Sequence, residues 1–379
     1  MKKIKVGRHI IGEGEPCFVI AEAGVNHNGD TKLAKQLVDV AKEAGADAVK
    51  FQTWRTEEIV THDVSKPAYQ MNCEGESQFD MLKGLELSEN DFKELANYAQ
   101  SLGIIFLSTP EGNDCIDFID RMGVPAFKIG SADLTNYPHL SYISRKRKPL
   151  ILSTGMATLA EVKEAITVIE KEGNHDIVLL HCTSNYPASY TEVNLRSMKT
   201  LKATFGMPTG YSDHTIGIGV SIMATLLGAT VIEKHFTLNK NLPGPDHSTS
   251  IEPSELKRMI KGIRLAERNP ASENSLDQRM QEISKQVTIE YEVLRQTEKI
   301  LGNASKNPTK SEQEMIRLAR KYIVANTFIE KGEIITLQKL SIKRSDGGLE
   351  SKYLDKVVGK KAKDKINQDE KLTLDKVVS

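Results

Sequence analysis

Paired thiols, long apolar runs and net charge are all missing from this sequence, and each absence closes off a class of function. The four cysteines, Cys17, Cys73, Cys115 and Cys182, stand far apart with no pair at CxxC spacing. Neither a thiolate zinc site nor a disulfide framework is therefore expected, and a reduced cytoplasmic setting follows. No stretch reaches the roughly eighteen apolar residues needed to cross a bilayer. Met1-Lys2-Lys3-Ile4-Lys5-Val6 leads into Gly7-Arg8-His9, not into the apolar core of an export signal. Lys and Arg together number 51, as do Asp and Glu. No overall field draws the chain to nucleic acid or to an anionic membrane, so its partners are small molecules selected locally.

What is there is alternation. The 379 residues suit a large domain followed by a small one. Short strand-like runs occur at Cys17–Ala23, Ala48–Thr53, Ile104–Thr109, Ala126–Ser131, Leu150–Thr154, Ile177–Ser184, Thr209–His214 and Thr230–Thr237. Between them lie amphipathic stretches such as Thr31–Ala44, Glu89–Ser101, Leu159–Glu172 and Ile218–Leu227, closing on Gly45, Gly103, Gly173 and Gly228 as helix C-caps do. Eight such units predict a TIM (β/α)8 barrel. The polar residues that interrupt these strands gather at one end of each: Glu22, Lys50 with Gln52, Ser108-Thr109, Lys128 with Ser131, Ser153-Thr154, His181 with Thr183-Ser184, Ser212 with His214, and Glu233 with His235. Residues two apart share a strand face. At the carboxyl ends of barrel strands these side chains converge over one mouth, which is the active face of such barrels.

Taken singly, each has a plainer reading. A Ser or Thr at a strand end caps the next helix, a lone Lys snorkels at the surface, and a lone buried His is a hydrogen-bonded core residue. His214 and His235 on neighbouring strand tips, with Glu22 and Asp246 nearby, read as ligands of a divalent metal. Two imidazoles without thiolates leave positions for water and substrate oxygen, which suits Mn²⁺ or Mg²⁺, with Co²⁺ a further possibility. His181 reads as a lining residue or as core. Lys50 and Lys128 allow two chemistries, a Schiff base with a carbonyl substrate or fixed cations for an anion carrying phosphate and carboxylate. Hydroxyls at the ends of strands three to seven favour the second. The helix-initial N–H groups of Ser153-Thr154-Gly155-Met156 are suited to phosphate.

With these residues assembled, Cys17–Pro270 resembles the catalytic barrel of the sialic acid synthase family, enzymes that condense phosphoenolpyruvate with an N-acetylated hexose to a nine-carbon nonulosonic acid. The matching motifs are Ala21-Glu22-Ala23-Gly24-Val25-Asn26-His27-Asn28-Gly29, Lys50-Phe51-Gln52-Thr53, Lys128-Ile129-Gly130-Ser131, Ser153-Thr154-Gly155-Met156, His181-Cys182-Thr183-Ser184-Asn185-Tyr186-Pro187, Tyr211-Ser212-Asp213-His214-Thr215, Glu233-Lys234-His235-Phe236-Thr237 and Gly244-Pro245-Asp246-His247. The resemblance implies phosphoenolpyruvate across Lys50, Thr109, Lys128, Ser131, Ser153, Ser184 and Ser212, and a metal on His214 and His235 that polarises the sugar aldehyde. It also implies that Glu22 acts on the oxocarbenium centre or its attacking water before phosphate leaves by C–O cleavage. Gln52, Asp133, Tyr186 and Asp246 are candidates for the sugar. N-acetylmannosamine, giving N-acetylneuraminate, is the first expectation; a 6-deoxy-2,4-diacetamido hexose, giving legionaminate or pseudaminate, is the alternative. A Schiff-base aldolase and a non-catalytic sugar-binding protein are the readings from other classes.

Ile329–Leu337 recurs loosely as Ile366–Leu374, which predicts a small pseudo-symmetric β-rich domain and resembles the antifreeze-like (SAF) domain that follows the barrel in this family. The expected division is a barrel over 1–270, a linker over 271–313 and the small domain over 314–379. The linker reads as helical, bridging the domains or joining a dimer, with a disordered tether as the alternative. Arg344, in Ser341-Ile342-Lys343-Arg344-Ser345-Asp346-Gly347-Gly348, matches the family arginine that reaches the sugar's N-acetyl group from the partner subunit, which implies a domain-swapped homodimer. Two departures from the commoner family pattern, Ser131-Ala132-Asp133 for Ser-Gly-Glu and Thr109-Pro110-Glu111 for Thr-Pro-Phe, bear on sugar specificity.

Overall fold

Eight parallel strands carry the structure, a computed structural model that describes residues 2–67, 70–71 and 75–378. Cys73 lies outside the described residues, and the other three cysteines are buried free thiols. The strands are β1 (Phe18–Gly24), β2 (Ala48–Thr53), β3 (Ile105–Pro110), β4 (Phe127–Ile129), β5 (Leu150–Ser153), β6 (Ile177–His181), β7 (Thr209–Asp213) and β8 (Val231–His235). Their hydrogen-bonded order is β3-β2-β1-β8-β7-β6-β5-β4. The two end strands lie side by side, so the sheet comes round on itself as a near-barrel. Helices with conventional caps connect them: Thr31–Ala44 begins on the Asp30 side chain and ends on Gly45 at φ 87°.

Alternation along each strand sorts side chains between two cores. On one face of each strand, residues such as Val19, Val49, Phe127, Leu152, Leu179 and Ile232 pack outward against the helices. The opposite face supplies Ile20, Ala48, Leu107, Ile151, Leu180 and Val231, which fill the barrel interior. An amino-terminal hairpin, Ile4–Val6 paired with His9–Ile11, adds Ile4, Val6 and Ile11 to that interior cluster, closing the barrel end away from the strands' carboxyl termini. Two residues beyond Ile20, Ala48, Leu107, Ile151 and Val231, on the same face, the chain turns polar.

The 271–313 segment lies folded on the barrel. Leu276, Met280, Ile283, Val293 and Leu301 are buried in the same core as the barrel helices. The small domain that follows pairs Tyr322–Ala325 with Leu340–Lys343 and Lys361–Ala362 with Val377–Val378, both antiparallel. The two copies of its internal repeat meet at equivalent positions: Ile329 and Ile366 exchange backbone hydrogen bonds of 2.9 Å each. Each copy ends in a three-residue helical turn, Leu337–Lys339 and Leu374–Lys376. Among the described residues no helix is long and apolar enough to cross a membrane.

Candidate active site

The carboxyl ends of the strands open into one pocket. Glu22, Lys50, Gln52, Thr109, Lys128, Ser131, Ser153, Ser184, Tyr186, Ser212, His214, His235, Asp246 and Arg344 all line it. Parity explains the convergence. Ile20 leads to Glu22, Ala48 to Lys50, Leu107 to Thr109, Ile151 to Ser153 and Val231 to Glu233, each two residues on and therefore still facing inward.

Two of the named residues stand outside the pocket, His181 taking the core alternative to its lining role and Asp133 departing from its expected place at the sugar. His181 has the wrong parity: Leu180 faces the interior and Leu179 the helices, so His181 points outward, where its Nε2 meets the Val193 carbonyl at 2.7 Å. Burial pushes its pKa down to about 3. Asp133 is drawn away from the pocket by the helical turn Ser131–Asp133. It is buried against Lys321 Nζ at 2.9 Å and accepts from Asn136 Nδ2, so it is held as an ion-pair partner and not as a sugar contact.

The floor is a chain of charges. Lys50 Nζ lies 2.8 Å from Glu22 and 3.7 Å from Glu233, and donates to Thr109 Oγ1 at 3.0 Å. Lys128 Nζ donates to Ser153 Oγ at 2.7 Å and lies 3.5 Å from Glu233. Burial raises the Glu22 carboxyl, with Glu233 adding and Lys50 opposing, to about 7. Burial would raise Glu233 too, but Lys128, Lys50 and the 2.8 Å hydrogen bond from Ser212 Oγ hold it down to about 2. Burial lowers Lys128, whereas for Lys50 the two glutamates outweigh burial and raise it. Two carboxylates in one floor thus have separate protonation behaviour, which is the pattern of groups prepared for different tasks.

Above the floor stand the two imidazoles, ring centroids 5.8 Å apart. Tyr186 lies against both, at 4.2 Å from His214 and edge-on at 5.8 Å from His235. His214 Nδ1 donates to the Thr183 carbonyl at 2.7 Å, which leaves Nε2 as its lone-pair nitrogen. Asp246 lies 3.4 Å from His235 Nδ1 and favours the proton there. Burial lowers both rings, His214 to about 3, so both are neutral and able to donate a lone pair. Among the described residues no three His, Cys, Asp or Glu side chains gather at metal-holding distance. A divalent ion at this mouth would take its protein donors from these two nitrogens and fill its remaining positions with water and substrate oxygens. That fits an ion such as Mn²⁺, for which oxygen ligands suffice.

The backbone N–H groups expected to hold phosphate are already engaged. Thr154 N donates to the Leu180 carbonyl, Gly155 N to Ser131 Oγ, and Met156 N to Glu312 Oε1 at 2.7 Å. Glu312 Oε1 also accepts from Ser184 N at 2.8 Å, while Oε2 accepts from Thr309 N. This buried carboxylate is not among the residues expected from the sequence; its partners Met156 and Ser184 lie more than a hundred residues earlier in the chain. The hydroxyls are what remain for an anion. They crowd Gly155, where a Cβ would lie 2.2 Å from Ser184 Oγ and 2.8 Å from Ser131 Oγ. Gly155→Ala therefore displaces both hydroxyls, and the expected result is a rise of about tenfold or more in KM for the anionic substrate, with little change in sugar KM. Steady-state kinetics with each substrate varied in turn checks it.

Arg344 reaches the pocket from the small domain of its own chain. Its N–H donates to the Ile59 carbonyl at 2.9 Å and its carbonyl accepts from Thr61 N at 3.0 Å, a short bridge between the small domain and the loop after β2. The sequence expectation had it enter a partner's barrel; here the contact is made within one chain. Glu111, which the sequence marked only as a departure, lines the pocket and receives the Arg344 guanidinium at 3.2 Å.

Comparison with known proteins follows from this geometry. Residues 37–274 match the NeuB family, and residues 320–378 match the SAF domain. The chain belongs to the NeuB family. Among its relatives, the N,N'-diacetyllegionaminic acid synthase of Legionella pneumophila is 44% identical over 92% of this chain and 91% of that one. The N-acetylneuraminate-9-phosphate synthase of Homo sapiens is 32% identical over 95% of this chain and 92% of that one. The crystal structure of the spore coat polysaccharide biosynthesis protein spsE from Bacillus subtilis superposes with a TM-score of 0.79 at 33% identity, covering 100% of this chain and 99% of that one. In this chain the SAF domain therefore follows the NeuB-family region.

Proposed function

We propose that this chain condenses phosphoenolpyruvate with the open-chain form of a 6-deoxy-2,4-diacetamido hexose, giving N,N'-diacetyllegionaminate and phosphate. NeuB-family members are nonulosonic acid synthases, transferases that use phosphoenolpyruvate, and the chain is an enzyme of that class. The observation that carries the reading is the pocket floor. Two buried lysines stand beside five inward hydroxyls, under two neutral imidazoles. Lys50 and Lys128 hold the carboxylate and phosphate of phosphoenolpyruvate, and Thr109, Ser131, Ser153, Ser184 and Ser212 orient its oxygens. A divalent ion held by His214 and His235 supplies Lewis-acid polarisation of an aldehyde oxygen. Glu22, beside Lys50 and Gln52, accepts the proton of the water that adds at the phosphate-bearing carbon. Gln52, Tyr186, Asp246 and Arg344 face the sugar.

The sugar preference departs from the first expectation, N-acetylmannosamine, on two grounds. Identity to the legionaminic acid synthase is 44%, against 32% to the N-acetylneuraminate-9-phosphate synthase. The pocket lining also carries apolar side chains, Ile59, Met81, Leu82 and Leu85 after β2 and Met315 and Leu318 from the helix before the first small-domain strand, beside the amides of Gln70 and Gln78. The apolar side chains of that lining suit a C6 methyl and acetamido methyls better than a phosphate, whose charge they cannot pair. A panel comparing kcat/KM for N-acetylmannosamine and the 6-deoxy-2,4-diacetamido derivative of mannose decides it; a preference for the former overturns the assignment. Covalent trapping of substrate on Lys50 or Lys128 by borohydride would instead establish Schiff-base chemistry.

Arg344→Ala is expected to raise the sugar KM by about tenfold or more while the phosphoenolpyruvate KM stays close to wild type, because a charge-assisted hydrogen bond to an amide oxygen is lost from one substrate only. A symmetric dimer that exchanges small domains makes the same contact between chains. Mixing Arg344→Ala with Glu22→Gln subunits tests this. Recovered activity means exchange, and no recovery under proven subunit exchange means that Arg344 serves its own barrel.

A further inference from the structure

A buried row of four alternating charges crosses the junction between the domains: Asp133, Lys321, Glu111 and Arg344. Lys321 Nζ lies 2.8 Å from Glu111 Oε2 and 2.9 Å from Asp133 Oδ2. Glu111 in turn holds Arg344 Nη2 at 3.2 and 3.3 Å through its two oxygens. Lys321 directly precedes the small domain's first strand and Arg344 directly follows its second. The register of that antiparallel pair sets Tyr322 against Lys343, so the two cations leave the hairpin side by side. They enter between two barrel loops, because Glu111 follows β3 and Asp133 closes the helical turn after β4.

We infer that Glu111 and Lys321 are positioning residues that set affinity for the sugar by fixing the Arg344 guanidinium at the mouth. The inference rests on the reading that Arg344 meets the sugar. Both carbonyl and amide of Arg344 are tied to the loop after β2, so only its side chain can swing. Glu111 occupies one end of the guanidinium and leaves the buried Nε–H without a protein partner. A buried N–H of that kind is costly unless something accepts from it, and an amide oxygen of the substrate is such a group. Glu111 can do this only as a carboxylate. Burial would raise it, but Lys321 and Arg344 hold it below the usual range. Asp133, held down to about 2 with Lys321 as the main cation against it, completes the neutral row. Seating of the small domain and orientation of the sugar ligand are in this way one event: the hairpin that brings Arg344 also brings the cation that keeps Glu111 charged.

The test is a set of variants of the full chain assayed with phosphoenolpyruvate, Mn²⁺ and the 6-deoxy-2,4-diacetamido derivative of mannose. Glu111→Gln and Lys321→Met should each raise the sugar KM by about tenfold and change the phosphoenolpyruvate KM by less than about twofold. Lys321→Arg, which keeps the charge, should restore most of the sugar affinity. In an Arg344→Ala background Glu111→Gln should add nothing further, since a residue that acts only through another is silent once that other is gone. Additive effects would show that Glu111 meets the sugar itself and would overturn the inference. So would equal changes in both KM values, or no change. An Arg344→Ala variant with unaltered sugar KM would instead sink the reading of Arg344, and the inference with it. Should Lys321→Met fail to fold, the nearly isosteric Glu111→Gln carries the same decision.

Discussion

His235→Ala lowers kcat by about a thousandfold or more, the cost of losing Lewis-acid stabilisation of developing charge, and leaves the thermal midpoint close to that of the unaltered chain. The two halves of this expectation come from the same geometry. His235 ends β8 two residues after Glu233 and four after Val231, so it stands above the apolar layer that holds the barrel together and not within it. Truncation removes one of the two imidazoles that line the pocket among the described residues. It costs little packing, because the ring faces Tyr186, Asp246 and the pocket. Phosphate release measures the first half, calorimetric titration with Mn²⁺ shows whether binding is lost, and circular dichroism follows the fold. Full activity in excess EDTA would remove the metal from the reaction altogether.

Why so much of this site was legible in the sequence can be stated in terms of strand parity. A barrel strand has an interior face that is apolar below and polar at its carboxyl end, and strand after strand here repeats the switch, from Ile20 to Glu22, Ala48 to Lys50, Leu107 to Thr109, Ile151 to Ser153 and Val231 to Glu233. Pairs such as Lys50 with Gln52, Ser212 with His214 and Glu233 with His235 therefore declare their common face without a structure. The limits lie where that periodicity stops. His181 sits on a strand whose interior positions are even-numbered, and only the packing of Leu179 and Leu180 reveals which face it takes. Asp133 lies past the strand in a helical turn, and its partner Lys321 is 188 residues away in sequence. Glu312 accepts from the backbone N–H groups of Met156 and Ser184, 156 and 128 residues earlier in sequence. Contacts of that kind depend on how domains dock, and no local pattern encodes them. The small domain was legible as a repeat because two copies of one hairpin-and-turn unit bury each other's Ile329 and Ile366.

Glu22→Gln separates chemistry from binding. The change keeps shape and most hydrogen bonding at the centre of the floor, where Gln52 Nε2 donates to Glu22 Oε1 at 3.1 Å and Lys50 lies 2.8 Å from Oε2. If Glu22 is the base for the water that adds late in the reaction, kcat falls by about a hundredfold or more, the usual contribution of a placed general base, while both KM values move little. The pH profile sharpens this. Burial sets the Glu22 carboxyl at about 7, and the active form of a base is the ionised one. The value of kcat/KM for phosphoenolpyruvate should therefore climb as pH rises through about 7 and level off above it. Glu233 cannot supply that limb, because Lys128 and Lys50 hold it down to about 2 and it stays ionised throughout. The substrate's own phosphate, with a second pKa of about 6, titrates in the same region but equally for both enzymes, so the diagnostic is the difference between their profiles. Since Glu22, Lys50 and Glu233 interact, the midpoint belongs to the cluster more than to one oxygen. Loss of the limb in Glu22→Gln, with the lower plateau, identifies the base. A variant that keeps the limb, or that loses only affinity for phosphoenolpyruvate, would place Glu22 among the residues that hold the substrate and transfer the proton-accepting role elsewhere.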